Sequence, residues 1–146
     1  MIRFALRKND YSEDENVLYN LVIDGVDQFE LFEESIQKAQ QSNFNTIASS
    51  IMLYSNNERL AHNKRKSIDS QLKLWEFKAG KLRVYHFKIK GTGTTICWAG
   101  TKNSQKKDIP KAKRLIREIM DQIKKHGNIQ IEEDEEESQE ERPLSE

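Results

Sequence analysis

Residues 72–125 read LKLWEFKAGKLRVYHFKIKGTGTTICWAGTKNSQKKDIPKAKRLIREIMDQIKK, and this stretch decides the fold. Three runs rich in β-branched and aromatic residues, Leu72–Phe77, Leu82–Ile89 and Thr94–Ala99, are divided by glycine-bearing turns, the signature of short strands. Near Asp108 the apolar period changes from 2 to 3.6. Ala112, Leu115, Ile116, Ile119 and Ile123 then make the stripe of a helix, with Asp108 as its N-cap and Pro110 in its first turn. Gly127 is its stop, and Lys124, Lys125 and His126 complement the negative end of the helix dipole. The expected fold class is α+β: a small, curled, mostly antiparallel sheet of about four strands, with helices before it and one helix after it.

Along Leu82–Ile89, the residues Leu82, Val84 and His86 point one way and Arg83, Tyr85 and Phe87 the other. One face therefore sets a guanidinium beside aromatic rings. Such a face is either an edge where arginine snorkels to water or a platform where a base stacks while the guanidinium meets a phosphate.

Working outward, Ile2, Phe4 and Leu6 alternate with Arg3, Ala5 and Arg7 and read as a strand. Ser12 and Glu15 have capping-box spacing ahead of Val17, Leu18, Leu21 and Val22, which predicts a helix ended by Gly25. Phe29, Phe32, Ile36 and Ala39 fit a second helix, and Thr46–Tyr54 a third. Residues 56–70 lack a period and carry Arg59, Lys64, Arg65 and Lys66, so they read as a long polar connection, either a binding element or a linker. The domain organisation expected is one domain over residues 1–130 and an acidic, aromatic-free, disordered tail over 131–146. Two readings of that tail stay open, a solvated end or a screen over the cationic face.

Charge is the strongest functional signal. The chain of 146 residues has zero formal net charge, yet residues 59–125 hold 19 lysines and arginines against 5 acidic residues, a local excess of +14. A positive surface of that size draws polyanions. Cys97 is the only cysteine, so no internal disulfide forms, and no Cys/His cluster has metal-ligand spacing. The charged N-terminus is neither a signal peptide nor a membrane span, which points to the cytoplasm. No G-x-x-x-x-G-K-[ST] loop, H-E-x-x-H helix or G-x-S-x-G elbow is present.

Over residues 58–120 the order of motifs resembles the RelE/HigB superfamily of toxins from type II toxin–antitoxin systems. LWEFK matches the first strand motif, with Lys78 where the family usually carries arginine. KLRVYHF matches the second and places Arg83 on its arginine. GTKNSQKKDIPKAKR matches the loop and basic helix, placing Lys102, Gln105 and Lys106 on the motif and Asn103 where a second lysine is usual. The resemblance implies a RelE-like fold and a cofactor-free endoribonuclease that cuts mRNA on the ribosome and is neutralised by a cognate antitoxin. Its chemistry takes a proton from the 2′-OH, and cations then stabilise the phosphorane. Arg83 is implied as the stabilising group, supported by Lys78 and Lys102. Lys81 or His86 is implied for proton transfer, although His86 alternates with Arg83. Lys64, Arg65, Lys66, Tyr85, Gln105, Lys106, Lys107 and Arg114 complete the expected RNA contacts.

Two further readings stand beside this one. The chain is alternatively a catalytically decayed RNA- or ribosome-binding module. A third class is a protein-interaction domain whose basic face accepts an acidic partner.

Overall fold

The computed structural model describes residues 3–132. The strands are β1 (Phe4–Lys8), β2 (Tyr19–Ile23), β3 (Val26–Asp27), β4 (Arg65–Asp69), β5 (Leu74–Ala79), β6 (Leu82–Ile89), β7 (Gly93–Thr101) and β8 (Gln130–Glu132). The helices are α1 (Gln28–Ser35), α2 (Gln41–Ser55) and α3 (Gln105–His126). All eight strands join one mixed sheet in the order β4-β5-β6-β7-β2-β1-β8, with β3 paired to the far half of β2. The α+β class stands, but the expected four-stranded sheet does not: the sheet has eight strands and two parallel pairings, β2 with β7 and β1 with β8.

The sheet grows because three segments that do not alternate become strands. Leu18, Leu21 and Val22, placed above on a helix, lie in and just before β2. That strand is covered on both faces, so its burial follows no period of two and imitates a helical stripe. Asp24 and Gly25, at φ 47° and 86°, then turn β2 back onto β3 instead of ending a helix. Two successive positive φ values are what a tight two-residue hairpin turn requires, and Asp-Gly supplies them. The polar run Arg65–Asp69 forms β4, an edge strand whose charges blunt an otherwise open ladder. At the opposite edge β8 runs parallel to β1 and extends past residue 130, the expected domain boundary. The tail expected from residue 131 lies outside the described residues beyond Glu132.

Each face of the sheet has its own core. Helices α1 and α2 bury Phe29, Phe44, Ile47 and Ile51 against Phe77, Leu82, Val84 and Ile96. Helix α3 buries Ala112, Leu115, Ile116 and Ile119 against Leu74, Tyr85, Phe87 and Cys97 on the other face. Cys97 is a sealed core thiol, and burial pushes it up to about 12. Helix α3 begins at Gln105, with Ser104 rather than Asp108 at the N-cap position, and ends, as expected, at Gly127. Its start is clamped to β7: Trp98 Nε1 donates to Asp108 Oδ1 at 3.0 Å, and Ser104 Oγ donates to the other carboxylate oxygen. A Cβ on Gly100 would lie 2.0 Å from Asp108 Oδ2, so glycine leaves the space that the bonded carboxylate fills.

Candidate nucleic-acid interface

The antiparallel register of β5 and β6 sets Lys78 opposite Arg83 and Glu76 opposite Tyr85. The β6–β7 register sets Leu82 opposite Thr101, and the Lys102 N–H donates to the Lys81 carbonyl at 2.7 Å. One more pairing, Lys66 opposite Glu76, adds the edge strand. Lys66, Lys78, Arg83 and Gln105 are thus gathered on the face that α3 covers, with Lys81 and Lys102 at the adjoining end of the sheet, where Lys81 also lines a groove with Phe32, Ile36 and Gln40 of the other side. Lys66, Lys81 and Lys102 are exposed and Lys78 is half-buried.

Arg83 differs from these lysines. Its residue is 8% exposed, and Nη1 donates to the carbonyls of Gly80 at 2.7 Å and Leu82 at 2.8 Å. Nε lies 3.8 Å from Glu76 Oε2 and has no hydrogen-bond partner. Glu76 is itself buried, and its other oxygen accepts from Gln105 Nε2 at 3.1 Å. The guanidinium is therefore the floor of the corner, neutralised by an internal carboxylate, while the lysines form its rim. Burial of the guanidinium is offset by this counter-charge and by the two carbonyls on Nη1, while Nε stays unbonded. Glu76 and Asp108 are the residues that the motifs alone do not reveal. Alternation along β5 puts Glu76 on the same face as Lys78, and only the register with β6 sets that face against Arg83.

Tyr85 lies beneath this floor with no exposed surface. Burial pushes its phenol up to about 12, and its ring packs in the core beneath α3, where no base reaches it. His86, 1% exposed, projects from the opposite face of β6 and stacks on Phe77 with centroids 4.2 Å apart. Desolvation, with Arg65 adding to it, pushes this imidazole well below its ordinary value. No proton travels between His86 and a ligand held over Arg83, because the sheet separates them.

The remaining expected contacts divide by face. Lys64 is exposed beside the corner, its carbonyl accepting from the Lys78 N–H at 2.9 Å. Lys106 and Lys107 are exposed in the first turn of α3, and Arg114 is exposed further along it. Arg65 leaves β4 on the α2 side, away from Arg83, and lies between the rings of Tyr54 and Trp75. The arrangement supplies several ammonium groups around a buried guanidinium, which suits the spaced charges of a phosphate chain.

Among the described residues there is no group of three or more His, Cys, Asp or Glu that would hold a metal ion, and no helix long and apolar enough to cross a membrane. Set beside known proteins, the chain matches no family model, no curated protein and no solved structure.

Proposed function

We propose that this protein binds single-stranded RNA through the lysine-rimmed corner formed by Lys66, Lys78, Lys81 and Lys102. The observation that carries this reading is the strand register, which sets these lysines at neighbouring positions while Glu76, opposite Lys66, is buried against Arg83. Binding of this kind is electrostatic and therefore salt-dependent. The logarithm of affinity for an oligouridylate falls by about 0.7 per phosphate contact for each tenfold rise in salt. Replacing Lys78 and Lys102 by alanine together makes that slope shallower by about 1.4. Affinity that is unchanged between low and physiological salt, or a slope untouched by the double substitution, refutes the reading.

A second reading keeps the RelE/HigB resemblance in full: a ribosome-dependent mRNA endonuclease partnered by an antitoxin. It is favoured by the gathering of Lys78, Arg83 and Gln105 on one face, with Lys81 and Lys102 at the adjoining end of the sheet. It requires Arg83 to leave Glu76 when substrate arrives, since a guanidinium sealed in an internal pair does not reach a phosphorane. Induced expression then arrests growth, and Arg83→Ala relieves the arrest. A wild-type chain that is harmless without any antitoxin eliminates the endonuclease and leaves the binding module.

A further inference from the structure

The α2 side of the β4 edge holds a groove of about 510 Å³, lined in part by Tyr54, Glu58, Arg59, His62, Arg65 and Trp75. Arg65 is its centre. The guanidinium carbon lies 3.9 Å from the Trp75 ring centroid and 4.3 Å from that of Tyr54, so the planar group is sandwiched between two aromatic faces. Nε donates to His86 Nε2 at 3.4 Å, and Nη2 donates to the Tyr54 hydroxyl at 3.2 Å.

These contacts fix the orientation of the fork without neutralising it. Among the described residues no carboxylate lies within ion-pair distance of Arg65, and burial lowers its pKa from the ordinary value. Among the described residues Nη1 has no hydrogen-bond partner, and it is not sealed from solvent. A half-buried cation that is aimed, held and unpaired is costly unless an anion completes it. The buried Arg83 on the other face has its carboxylate; Arg65 does not.

We propose that this groove is a subsite for the phosphate group of a nucleotide. The phosphate oxygens take the free N–H groups of Arg65, with Arg59 at the rim, and the nucleoside lies along the wall that carries Trp75 and His62. A guanidinium fork matches two phosphate oxygens at once, and aromatic walls suit a planar base. The proposal deepens the RNA reading above. Arg65 and Lys66 are consecutive in an edge strand, so their side chains leave opposite faces. A single strand that rounds the β4 edge meets the lysine-rimmed corner on one side and this groove on the other.

Calorimetry on the full chain with uridine 5′-monophosphate, with uridine and with a short oligouridylate tests the assignment, alongside the NMR signal of the Trp75 indole. The monophosphate binds and shifts the Trp75 signal, whereas uridine without phosphate binds at least about ten-fold more weakly, a difference of about 1.4 kcal/mol. Arg65→Gln weakens the monophosphate about ten-fold or more, while Arg65→Lys, which keeps the charge and loses the fork, weakens it less. Arg59→Gln, an exposed change that leaves the stacked core intact, weakens it about three-fold and serves if Arg65→Gln fails to fold. Lys78→Ala with Lys102→Ala leaves monophosphate binding unchanged. If Arg65→Gln also weakens the oligouridylate, while the double variant only makes its salt slope shallower, the corner and the groove are two parts of one surface. If no oligouridylate binds the corner but the monophosphate binds the groove, the RNA reading falls and the subsite stands. No response to the monophosphate up to about 10 mM, equal binding of uridine, or full affinity in folded Arg65→Gln and Arg59→Gln overturns the proposal.

Discussion

Glu76 shows how one buried carboxylate sets the character of the corner. It neutralises Arg83, receives Gln105 and ties the start of α3 to β5. Glu76→Ala leaves a guanidinium buried without its counter-charge, and breaking a buried pair from one side is costly. Urea denaturation should show a loss of about 3 kcal/mol, well above the cost of an exposed lysine-to-alanine change. His86 offers a test of a different kind. Its neighbours are Phe77 on β5, Tyr54 on α2 and Arg65 on β4, and Arg65 makes a positive imidazole still less welcome. Its folded pKa lies well below the unfolded value, so below about pH 6.5 the unfolded chain takes up a proton that the folded chain refuses. Stability is therefore fully present above that pH and is lost as pH falls through the unfolded pKa. Between pH 7 and 5.5 the melting temperature should fall, and His86→Gln should flatten that part of the curve.

At the scale of elements, Gly25 is the plainest test of the N-terminal hairpin. Its φ of 86° suits glycine, and nothing lies within 4 Å of a Cβ placed there, so Gly25→Ala measures backbone strain alone. A loss of about 1 kcal/mol is expected, measured by denaturant unfolding. The strands around Trp75, Tyr85 and Ile96, the second and third helices and the helix ended by Gly127 were legible because they carry a period or a turn signal. Strand β2 was not, because burial on both faces erases alternation, and a capping-box spacing at Ser12 and Glu15 suggested a helix. Strands β4 and β8 were hidden by their polarity, since an edge strand needs few apolar residues. At the candidate site the rim lysines could be read from motif spacing. The partners of Arg83 and Arg65 depend on register, on which residue faces which across strands, and no local pattern contains that information.

Across the molecule, the sheet is two smaller sheets joined by one narrow seam. Between β2 and β7 only Tyr19–Thr95 and Asn20–Ile96 are paired, whereas β6 and β7 match over eight positions. Amide hydrogen exchange should find the seam opening at lower free energy than β6. The outer edge depends on β8, where Ile129 enters the core just before the strand and Glu132 reaches Arg7 at 2.9 Å. A chain ending at Asn128 removes both, and about 3 kcal/mol of stability should go with them, mostly from Ile129.

Pairing of β1 with β8 also governs how the protein is made. The first strand leaves the ribosome about 125 residues before its outer neighbour, at roughly 5–20 residues per second. For that interval the amides and carbonyls on its outer edge, the one that β2 does not cover, have no ladder to join, and newly made copies translated from one message can borrow each other's edges. Slow translation or a missing final segment should therefore yield aggregates, even when every residue of the cationic corner is intact.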